Sequence, residues 1–349
     1  MRKLVVLSPY GPPGANGLCD HVDQIVAALG DLNLPSIDRI GVTTSVGYVD
    51  MSRAIVMRGD ARSLDSLLDR FVTRDSTLVV QYVGYGYQRR GCPFSLVRSL
   101  RRLRSLRSFR MISVFHELHA SGPPWTSTFY VGPLQRFPIA ALANLSDQAV
   151  TSTLSYRRTL EGYVRCVGKH PVNSNVGEPS DPSELGQRPN TAVVFGLPAS
   201  RRRLFESGLL ERTLRDLSVD EVFEIGTPCR RPQKIGAVRW HQCGELDKNE
   251  VSKVLLSSRF GLLEYPRDLL AKSGVFAAYS SHRMVPVLLA QGGAPAEELK
   301  PRVHYLDSAE IASINTEPLQ HIADESWRQY KTACSLAVCR ELYGEWCRD

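Results

Sequence analysis

Short apolar runs alternate with amphipathic segments along this chain, and this alternation is the feature that most limits its possible folds. The runs in the first half are KLVVLS, IDRIGVTT, STLVVQYV, RMISVFH and QAVTS, and those in the second half are TAVVFGL, VDEVFEIG, IGAVRWHQC, RFGLLEYP and MVPVLLA. Strands that alternate with helices predict βαβ units with parallel sheets. At 349 residues, the chain is long enough for two domains of this kind.

The segment between the two sets of runs, KHPVNSNVGEPSDPSELGQRPN, is rich in Pro, Ser, Asn and Gly, which indicates a linker. We therefore predict an α/β protein of two Rossmann-like domains facing a central cleft, which is then the default binding site. The predicted boundaries are an N-terminal domain over 1–170, a linker over 171–190, a C-terminal domain over 191–320 and a terminal helix over 321–349 that packs on the N-terminal domain.

The composition favours a cytoplasmic protein without a metal site. The chain is 43% hydrophobic and 23% charged, as soluble globular proteins are, and no segment reaches the roughly 18 to 20 apolar residues of a membrane span. Its eight cysteines are scattered, with no C-x-x-C pair and no spacing typical of metal ligands. We therefore expect reduced thiols and no bound metal.

A basic amphipathic helix is predicted over residues 95–111, SLVRSLRRLRSLRSFRM. Leucines recur there at helical spacing and arginines fill the other positions. The helix therefore either buries its leucines as an ordinary surface helix or binds an anionic surface such as a membrane. Nucleic acid is not expected as a partner, because aromatic residues are not interleaved with the arginines as a stacking platform requires.

The glycine-rich segment SPYGPPGANGLCDHVDQIVAAL follows the first predicted strand. Gly14 and Gly17 let the backbone approach a phosphate or a sugar, Asn16 tolerates left-handed geometry, and the following helix directs its amide groups to the cleft. The segment lacks the G-x-G-x-x-G pattern and a following lysine, which argues against a nicotinamide enzyme and an NTPase. It forms either one wall of a ligand site or a plain corner between strand and helix.

The order of motifs resembles that of retaining GT-B glycosyltransferases, in the family that includes the phosphatidylinositol mannosyltransferases. Gly17 and His21 resemble its G-G-x-x-x-H motif, SVFHELHAS resembles its strand ending in a histidine near the reacting sugar, and PVNSNVGEP resembles its I-P-N-G-V-D segment. VVFGLPASRRRLF resembles the opening strand and basic loop of its donor domain, and MVPVL resembles its G-T-P-V-I strand. The resemblance implies an acceptor domain followed by a nucleotide-sugar donor domain, with His21 facing inward as a structural residue.

The chain departs from this family at a pair of glutamates, eight residues apart, that usually precedes the G-x-P-V motif. Counting back from Pro286 places Tyr279 and Ala271 at the two positions. A register that keeps Glu264 as the first glutamate places Lys272 at the second. The sequence therefore predicts that the acidic pair is missing.

A diphosphate site is predicted where the segment RDLLAKSGVFAAYSSHRMVPV begins a helix. Lys272, Ser273 and Gly274 offer a cation, a hydroxyl and a close-approach glycine beside free backbone amides. Arg201 and Arg203 add charge for a leaving nucleoside diphosphate, because arginine can hold phosphate oxygens with two hydrogen bonds. The alternatives are a simple helix cap at Ser273 and Gly274 and a solvated turn for the arginines.

His116 ends a predicted strand, at the edge where parallel α/β sheets bind ligands. Glu117 and His119 follow it, so this loop offers a carboxylate and imidazoles that can act as general base toward an acceptor hydroxyl. In the family that the chain resembles, the histidine lies beside the donor sugar. A metal is not expected here, because H-E-x-H lacks the i, i+4 spacing of helical metal ligands.

These features predict a glycosyltransferase of the hexosyltransferase kind, retaining and metal-independent, that moves a sugar from a nucleotide-sugar donor to a hydroxyl acceptor and needs no cofactor. One hypothesis is that the acceptor is lipid-linked and that residues 95–111 hold the enzyme at the inner membrane face. The alternatives are a non-catalytic GT-B-like binding or scaffold protein, which the missing glutamates favour, and a sugar-nucleotide epimerase of the same architecture.

Overall fold

The computed structural model describes residues 1–11, 17–30, 32, 34–43, 54–119, 125, 127–230, 238–289, 294–295, 298–311 and 318–348. The chain divides into two compact units. Unit 1 consists of Met1–His170 and Cys339–Asp349, and unit 2 consists of Pro171–Val338. The segment predicted as a linker, 171–190, therefore belongs to unit 2.

Unit 1 contains a sheet of seven parallel strands within the described ranges, in the order β3-β2-β1-β4-β5-β6-β7. The strands are β1 (Lys3–Tyr10), β2 (Ile37–Thr43), β3 (Ala54–Met57), β4 (Ser76–Tyr82), β5 (Arg110–Phe115), β6 (Gln148–Thr151) and β7 (Val167–Lys169). The strand order reverses between β1 and β4, and such a switch point opens a crevice at the carboxyl ends of the strands.

Helices join these strands and cover the sheet of unit 1. They are α1 (Gly17–Ala28), α2 (Ala61–Phe71), α3 (Gly84–Tyr87), α4 (Phe94–Leu106), α5 (Ser127–Leu145) and α6 (Leu154–Glu161). Local sequence fixes where two of them begin: the Asp60 carboxylate accepts a hydrogen bond from Ser63 N at the start of α2, and Thr153 caps α6 in the same way. Every residue of β4 is buried, as expected for a central parallel strand covered on both faces.

Unit 2 repeats this architecture with six parallel strands among its described residues, in the order β10-β9-β8-β11-β12-β13. The strands are β8 (Thr191–Phe195), β9 (Glu221–Ile225), β10 (Arg239–Gly244), β11 (Phe260–Leu263), β12 (Val285–Leu288) and β13 (Leu306–Asp307). The helices are α7 (Pro198–Glu206), α8 (Leu210–Asp216), α9 (Lys248–Leu256), α10 (Gly274–Ser281) and α11 (Pro318–Ala333), and α12 (Leu336–Trp346) begins in unit 2 and continues into unit 1. The switch point of this sheet lies between β8 and β11.

The C-terminal segment differs from the single helix predicted over 321–349, because it forms two helices, α11 and α12. A break at Cys334 and Ser335 separates them, and the Glu178 carboxylate accepts a hydrogen bond from Leu336 N at the start of α12. The part of α12 in unit 1 packs on β4, where Thr77 Oγ1 donates to the carbonyl oxygen of Trp346 at 2.9 Å. No helix within the described ranges is long and apolar enough to cross a membrane.

Candidate functional site

The carboxyl edge of the sheet in unit 1 carries His116 directly after β5. Its backbone N donates a hydrogen bond to the carbonyl oxygen of Tyr82, which fixes the position of the residue beyond the end of the strand. The side chain is half-buried. The structure therefore places His116 at the strand end that the sequence predicts.

A buried chain of hydrogen bonds holds the imidazole of His116. Its Nε2 lies 2.7 Å from Gln81 Oε1, and Gln81 Nε2 donates to the hydroxyl of Tyr343 on α12 at 2.6 Å. The main-chain carbonyl of Gln81 accepts a hydrogen bond from the hydroxyl of Tyr87 at 2.9 Å. An amide oxygen can only accept, so His116 carries its proton on Nε2 and Nδ1 is the basic nitrogen of the neutral ring.

A second imidazole, His21 on α1, lies against His116, with ring centroids 5.4 Å apart in an edge-to-face arrangement. The interpretation of His21 as a structural residue is therefore incomplete, because its ring touches the residue that the sequence singles out. Gly17 is the first residue of α1, and a Cβ there would meet no atom of the described residues within 4 Å, so packing against them does not require a glycine. Gly14 and Asn16 lie outside the described residues.

The loop after His116 carries Glu117, whose side chain is exposed, and His119, which is half-buried. Burial lowers the pKa of His119, and the nearby charge of Arg136 lowers it further, so this imidazole is neutral at pH 7. Within the part of the chain that the structure describes, no group of three His, Cys, Asp or Glu side chains is arranged to hold a metal ion.

In unit 2, a tight turn at Gly196 joins β8 to α7. Gly196 has φ of 123°, which side-chain-bearing residues rarely adopt, and a Cβ there would lie 3.1 Å from Val275 Cγ2. The turn therefore packs directly against the first turn of α10. This contact brings the end of β8 and the start of α10 together at the carboxyl edge of the sheet.

The helix start predicted at Lys272, Ser273 and Gly274 is confirmed. α10 begins at Gly274, and Ser273 caps it by accepting a hydrogen bond from Phe276 N at 3.2 Å. Lys272 is half-buried directly before the cap. A Cβ on Gly274 would lie 3.5 Å from Asn175 Cγ, so the NSN segment borders this helix start.

The three arginines predicted as a basic loop lie on α7, and Arg201 is buried inside unit 2. Its Nη1 lies 2.6 Å from Glu224 Oε1, its Nε donates to Gly196 O at 3.0 Å, and Nη2 donates to Thr227 O. The expectation that Arg201 contacts the donor is therefore corrected. A guanidinium that is 1% exposed and forms a hydrogen bond from each of its three nitrogens ties the turns after β8 and β9 together.

Arg203 lies two residues after Arg201 on α7, and its side chain points outward at the carboxyl edge of the sheet. Its Nε lies 2.7 Å from Glu264 Oε2, with 52% of the Arg203 side chain and 23% of the Glu264 side chain exposed. Glu264 directly follows β11, so it stands at the switch point of the sheet. The pair is open to solvent and can exchange partners with a charged ligand.

The position predicted for one family glutamate lies in the core, because Tyr279 is fully buried. A Cβ on Gly261 would lie 2.2 Å from its ring, and its hydroxyl shares one hydrogen between the carbonyl oxygens of Val193 and Leu262. Desolvation raises the pKa of Tyr279 well above its usual value. A carboxylate could not replace this phenol without a large cost in desolvation, so the register through Tyr279 offers no acid at this position. The alternative register keeps Glu264, which lies directly after β11.

The basic segment 95–111 forms α4 and the start of β5. Three of its arginines bind carboxylates of neighbouring elements: Arg102 pairs with Asp65 and Asp69, Arg104 with Asp147, and Arg107 with Asp69. Arg98 and Arg101 are exposed and form no ion pair with any residue that the structure describes. The segment is therefore basic outside but neutralised on its inner side.

Sequence reasoning missed Gln81, Tyr343 and Asn175 as residues of these two edges. Gln81 is 0% exposed near the end of a fully buried strand, and such a buried amide requires hydrogen-bond partners. That requirement marks Gln81 from the sequence, but Tyr343 lies 262 positions away and only the folded chain identifies it.

The chain resembles known proteins in its structure and not in its sequence. No family model matches the sequence, and no curated protein matches it. The solved structure of alpha-glucosyltransferase in complex with UDP is similar over 100% of both chains, with a TM-score of 0.63 and 9% identity. Alpha,alpha-trehalose 6-phosphate synthase from Burkholderia multivorans is similar over 100% of this chain and 96% of its own, with a TM-score of 0.61 and 13% identity.

A third structure, of trehalose-6-phosphate from E. coli bound with UDP-2-fluoro glucose, is similar over 99% of both chains, with a TM-score of 0.64 and 13% identity. These similarities show that the chain has the GT-B fold, an α/β architecture of two Rossmann-like parallel sheets with a C-terminal helix. The predicted fold class is therefore confirmed. Membership of the phosphatidylinositol mannosyltransferase family stays a prediction.

Proposed function

We propose that this chain is a glycosyltransferase that moves a hexose from a nucleoside-diphosphate sugar to a hydroxyl acceptor, with retention of configuration and without a metal ion or other cofactor. The observation that carries the proposal is the start of α10. It is a capped helix start at the carboxyl edge of unit 2, in a fold shared with an alpha-glucosyltransferase that binds UDP. Retention rests on the family resemblance of the motifs.

The start of α10 offers a diphosphate the groups that it needs. Backbone N–H groups of the first turn have no partner within a helix, and the helix dipole favours negative charge at this end. Lys272 adds a positive charge directly before the cap, and the polar side chain of Asn175 borders Gly274 at the first turn of the helix. The turn at Gly196 packs on Val275, so the end of β8 is held beside this helix start.

Charge grows on the diphosphate oxygens as the glycosidic bond breaks, so groups that hold those oxygens lower the barrier. In this proposal Lys272 and the amides of α10 bind the diphosphate, and Arg203 turns from Glu264 to a phosphate oxygen. Glu264, once released, is placed at the strand end to accept a hydroxyl hydrogen of the sugar or ribose. These cationic groups take the role that a metal ion has in other transferases.

In unit 1, His116 is the group proposed to act on the acceptor side. The hydrogen bond of Nε2 to Gln81 leaves Nδ1 as the nitrogen that accepts a proton. His116 thus accepts the hydrogen of the acceptor hydroxyl while that oxygen bonds to the anomeric carbon on the face from which the nucleoside diphosphate departs, which retains the configuration. The exposed Glu117 carboxylate, next in the chain, orients the hydroxyl or the imidazolium that forms.

Binding and turnover test the proposal separately. Uridine, guanosine, thymidine and cytidine diphosphates are compared for their effect on the thermal unfolding midpoint, because a ligand that binds only the folded chain raises it. We expect one of them to stabilise the wild type and Lys272→Ala to lose that stabilisation. Lys253→Ala, which removes an exposed lysine on α9, is the matched control. A chain that no nucleotide stabilises contradicts the proposal.

Turnover is measured as loss of the sugar nucleotide in the presence of hydroxyl acceptors. His116→Ala and Lys272→Ala are each expected to lower turnover at least about tenfold without unfolding the chain. Wild-type turnover in both variants contradicts the site. A second candidate, a GT-B-like binding or scaffold protein, is favoured by the burial of Tyr279 at a family glutamate position. Nucleotide-dependent stabilisation with no turnover on any acceptor supports that candidate instead.

A further inference from the structure

The outer side of α5 is apolar although it faces solvent. Tyr130, Leu134 and Phe137 are 68%, 52% and 65% exposed, and their i, i+4, i+7 spacing aligns them on one stripe of the helix. Phe129 beside them is 47% exposed. Together these four residues form an exposed apolar surface, the α5 face. An exposed apolar patch of this kind marks an interaction site more often than a plain surface.

The opposite side of α5 is already filled by the core of unit 1. Ile139, Leu142 and Ala143 are buried in the same cluster as the leucines of α4. A surface helix of a globular protein normally carries polar residues opposite such a buried stripe. α5 instead has apolar residues on both sides, so packing within unit 1 does not explain its outer side.

α4 lies beside α5 and runs in the same direction. Near the start of α4, Gln135 on α5 donates a hydrogen bond to Arg90 O at 2.9 Å, and near its end Arg104 donates to Leu145 O at 3.0 Å. Both helices join consecutive neighbouring strands, so right-handed crossovers place them on one face of the sheet. Their outer sides therefore belong to one continuous surface.

This shared surface is positively charged. Neither α4 nor α5 contains an aspartate or a glutamate. Arg98 and Arg101 stand on the outer side of α4, and Arg136 is exposed on α5 between Leu134 and Phe137. The acidic residues Asp65, Asp69 and Asp147 neutralise only the inner arginines of α4. The α5 face is thus bordered by arginines with no carboxylate on either helix.

We propose that the α5 face and the outer arginines of α4 form a docking surface for an anionic lipid bilayer. Tyrosine and phenylalanine side chains enter the interfacial region of a bilayer while arginines contact lipid phosphates, so the two helices lie in the plane of the membrane. A second copy of the chain is a poorer occupant. A two-fold axis through this surface would bring the same arginines of both copies together.

The surface differs from the one that the sequence indicates. The sequence assigns anionic-surface contact to the arginines of residues 95–111 alone, whereas the structure commits Arg102, Arg104 and Arg107 to ion pairs. The apolar contribution comes from α5, whose sequence shows no amphipathic pattern that could have indicated it. The inference does not depend on the proposed transferase activity.

Co-sedimentation of the full chain with vesicles tests the proposal. Vesicles of phosphatidylcholine alone are compared with vesicles of equal parts of phosphatidylcholine and phosphatidylglycerol. We expect the wild type to sediment with the anionic vesicles, and Leu134→Ser and Phe137→Ser each to lower the partition coefficient about fivefold or more. Arg98→Glu/Arg101→Glu is expected to abolish the preference for anionic vesicles.

Matched controls keep this test specific. Leu197→Ser removes an exposed leucine of unit 2, and Arg165→Glu/Arg230→Glu makes the same charge change at exposed arginines elsewhere, so both variants should sediment like the wild type. The unfolding midpoint of each variant is measured to show that it folds. Wild-type sedimentation in Leu134→Ser and Phe137→Ser overturns the proposal. The proposal is also overturned if the wild type binds neither kind of vesicle and forms a dimer that Leu134→Ser dissociates. That result identifies a second copy of the chain as the occupant of the surface.

Discussion

His116 Nε2 lies 2.7 Å from Gln81 Oε1, at the end of a buried hydrogen-bond chain that starts on the C-terminal helix at Tyr343. Gln81 has no exposed surface, so water cannot replace either of its partners. The imidazole of His116, directly after β5, is therefore oriented by a residue of β4 and, through it, by α12. The orientation and the tautomer of His116 are properties of the fold of unit 1.

Replacing Gln81 by glutamate tests this orientation. Gln81→Glu places a carboxylate next to Nε2, and a nearby opposite charge favours the protonated ring. The NMR titration midpoint of His116 is then expected to move upward by about one pH unit or more. Gln88→Glu, a change of the same kind in the turn before α4, is the control and leaves the midpoint where it is. An unchanged midpoint in Gln81→Glu shows that the two side chains do not meet in solution.

Removing the hydroxyl of Tyr343 tests the hydrogen bond that it accepts from Gln81. Tyr343→Phe leaves the buried amide of Gln81 without its acceptor, which costs about 1–3 kcal/mol of the free energy of unfolding. Tyr82→Phe is the matched control, because Tyr82 is also buried in unit 1 but its hydroxyl has no hydrogen-bond partner among the described residues. Urea denaturation should show Tyr343→Phe destabilised and Tyr82→Phe nearly unchanged. Equal effects contradict the hydrogen-bond chain.

Arg201 is expected to act on the stability of unit 2. Arg201→Ala removes the cation that is paired with the buried Glu224 carboxylate, which costs about 3–5 kcal/mol. Arg212→Ala breaks an exposed pair with Asp216 and should cost less than about 1 kcal/mol. Chemical denaturation of both variants measures the difference. If Arg201→Ala is as stable as the wild type and only nucleotide binding weakens, Arg201 is a donor ligand as the sequence suggested.

His282 is expected to make folding sensitive to acid. Burial lowers the pKa of His282 from 6.5 to about 4. Between these pH values the unfolded chain binds a proton at this imidazole and the folded chain does not. The resulting loss of the free energy of unfolding develops as the pH falls from 6.5 to 4 and reaches about 3 kcal/mol.

His282→Asn removes the titrating group, and its stability should fall less than that of the wild type over this interval. His321→Asn, at a position 61% exposed, should follow the wild-type curve. The measurement is the free energy of unfolding in urea at a series of pH values. Parallel curves for the wild type and His282→Asn contradict the burial of a neutral imidazole.

Apolar runs predicted ten of the strands because fully covered parallel strands are nearly continuous in hydrophobic residues, as in STLVVQY of β4. Three strands, β3, β7 and β13, escaped prediction because their four, three and two residues carry too little periodicity. The terminal segment was predicted as one helix, since its break at Cys334 and Ser335 contains no glycine or proline.

The candidate site was predictable only where local geometry decides it. His116 follows a strand and Ser273 begins a helix, and both facts can be inferred from neighbouring residues. Arg201 and Arg203 look alike in the sequence, but the helix turns Arg201 to Glu224 inside the unit and Arg203 to the surface. The exposed apolar side of α5 could not be predicted from the sequence for a related reason. The sequence of a helix that is apolar on all sides does not indicate which side the core covers.

A crystal structure of the chain with the nucleoside diphosphate that stabilises it most shows directly where the nucleotide binds. We expect the diphosphate at the start of α10, with phosphate oxygens within hydrogen-bond distance of the backbone N of Gly274 or Val275 and the Lys272 ammonium beside them. A nucleotide bound elsewhere, with the start of α10 empty, would contradict it.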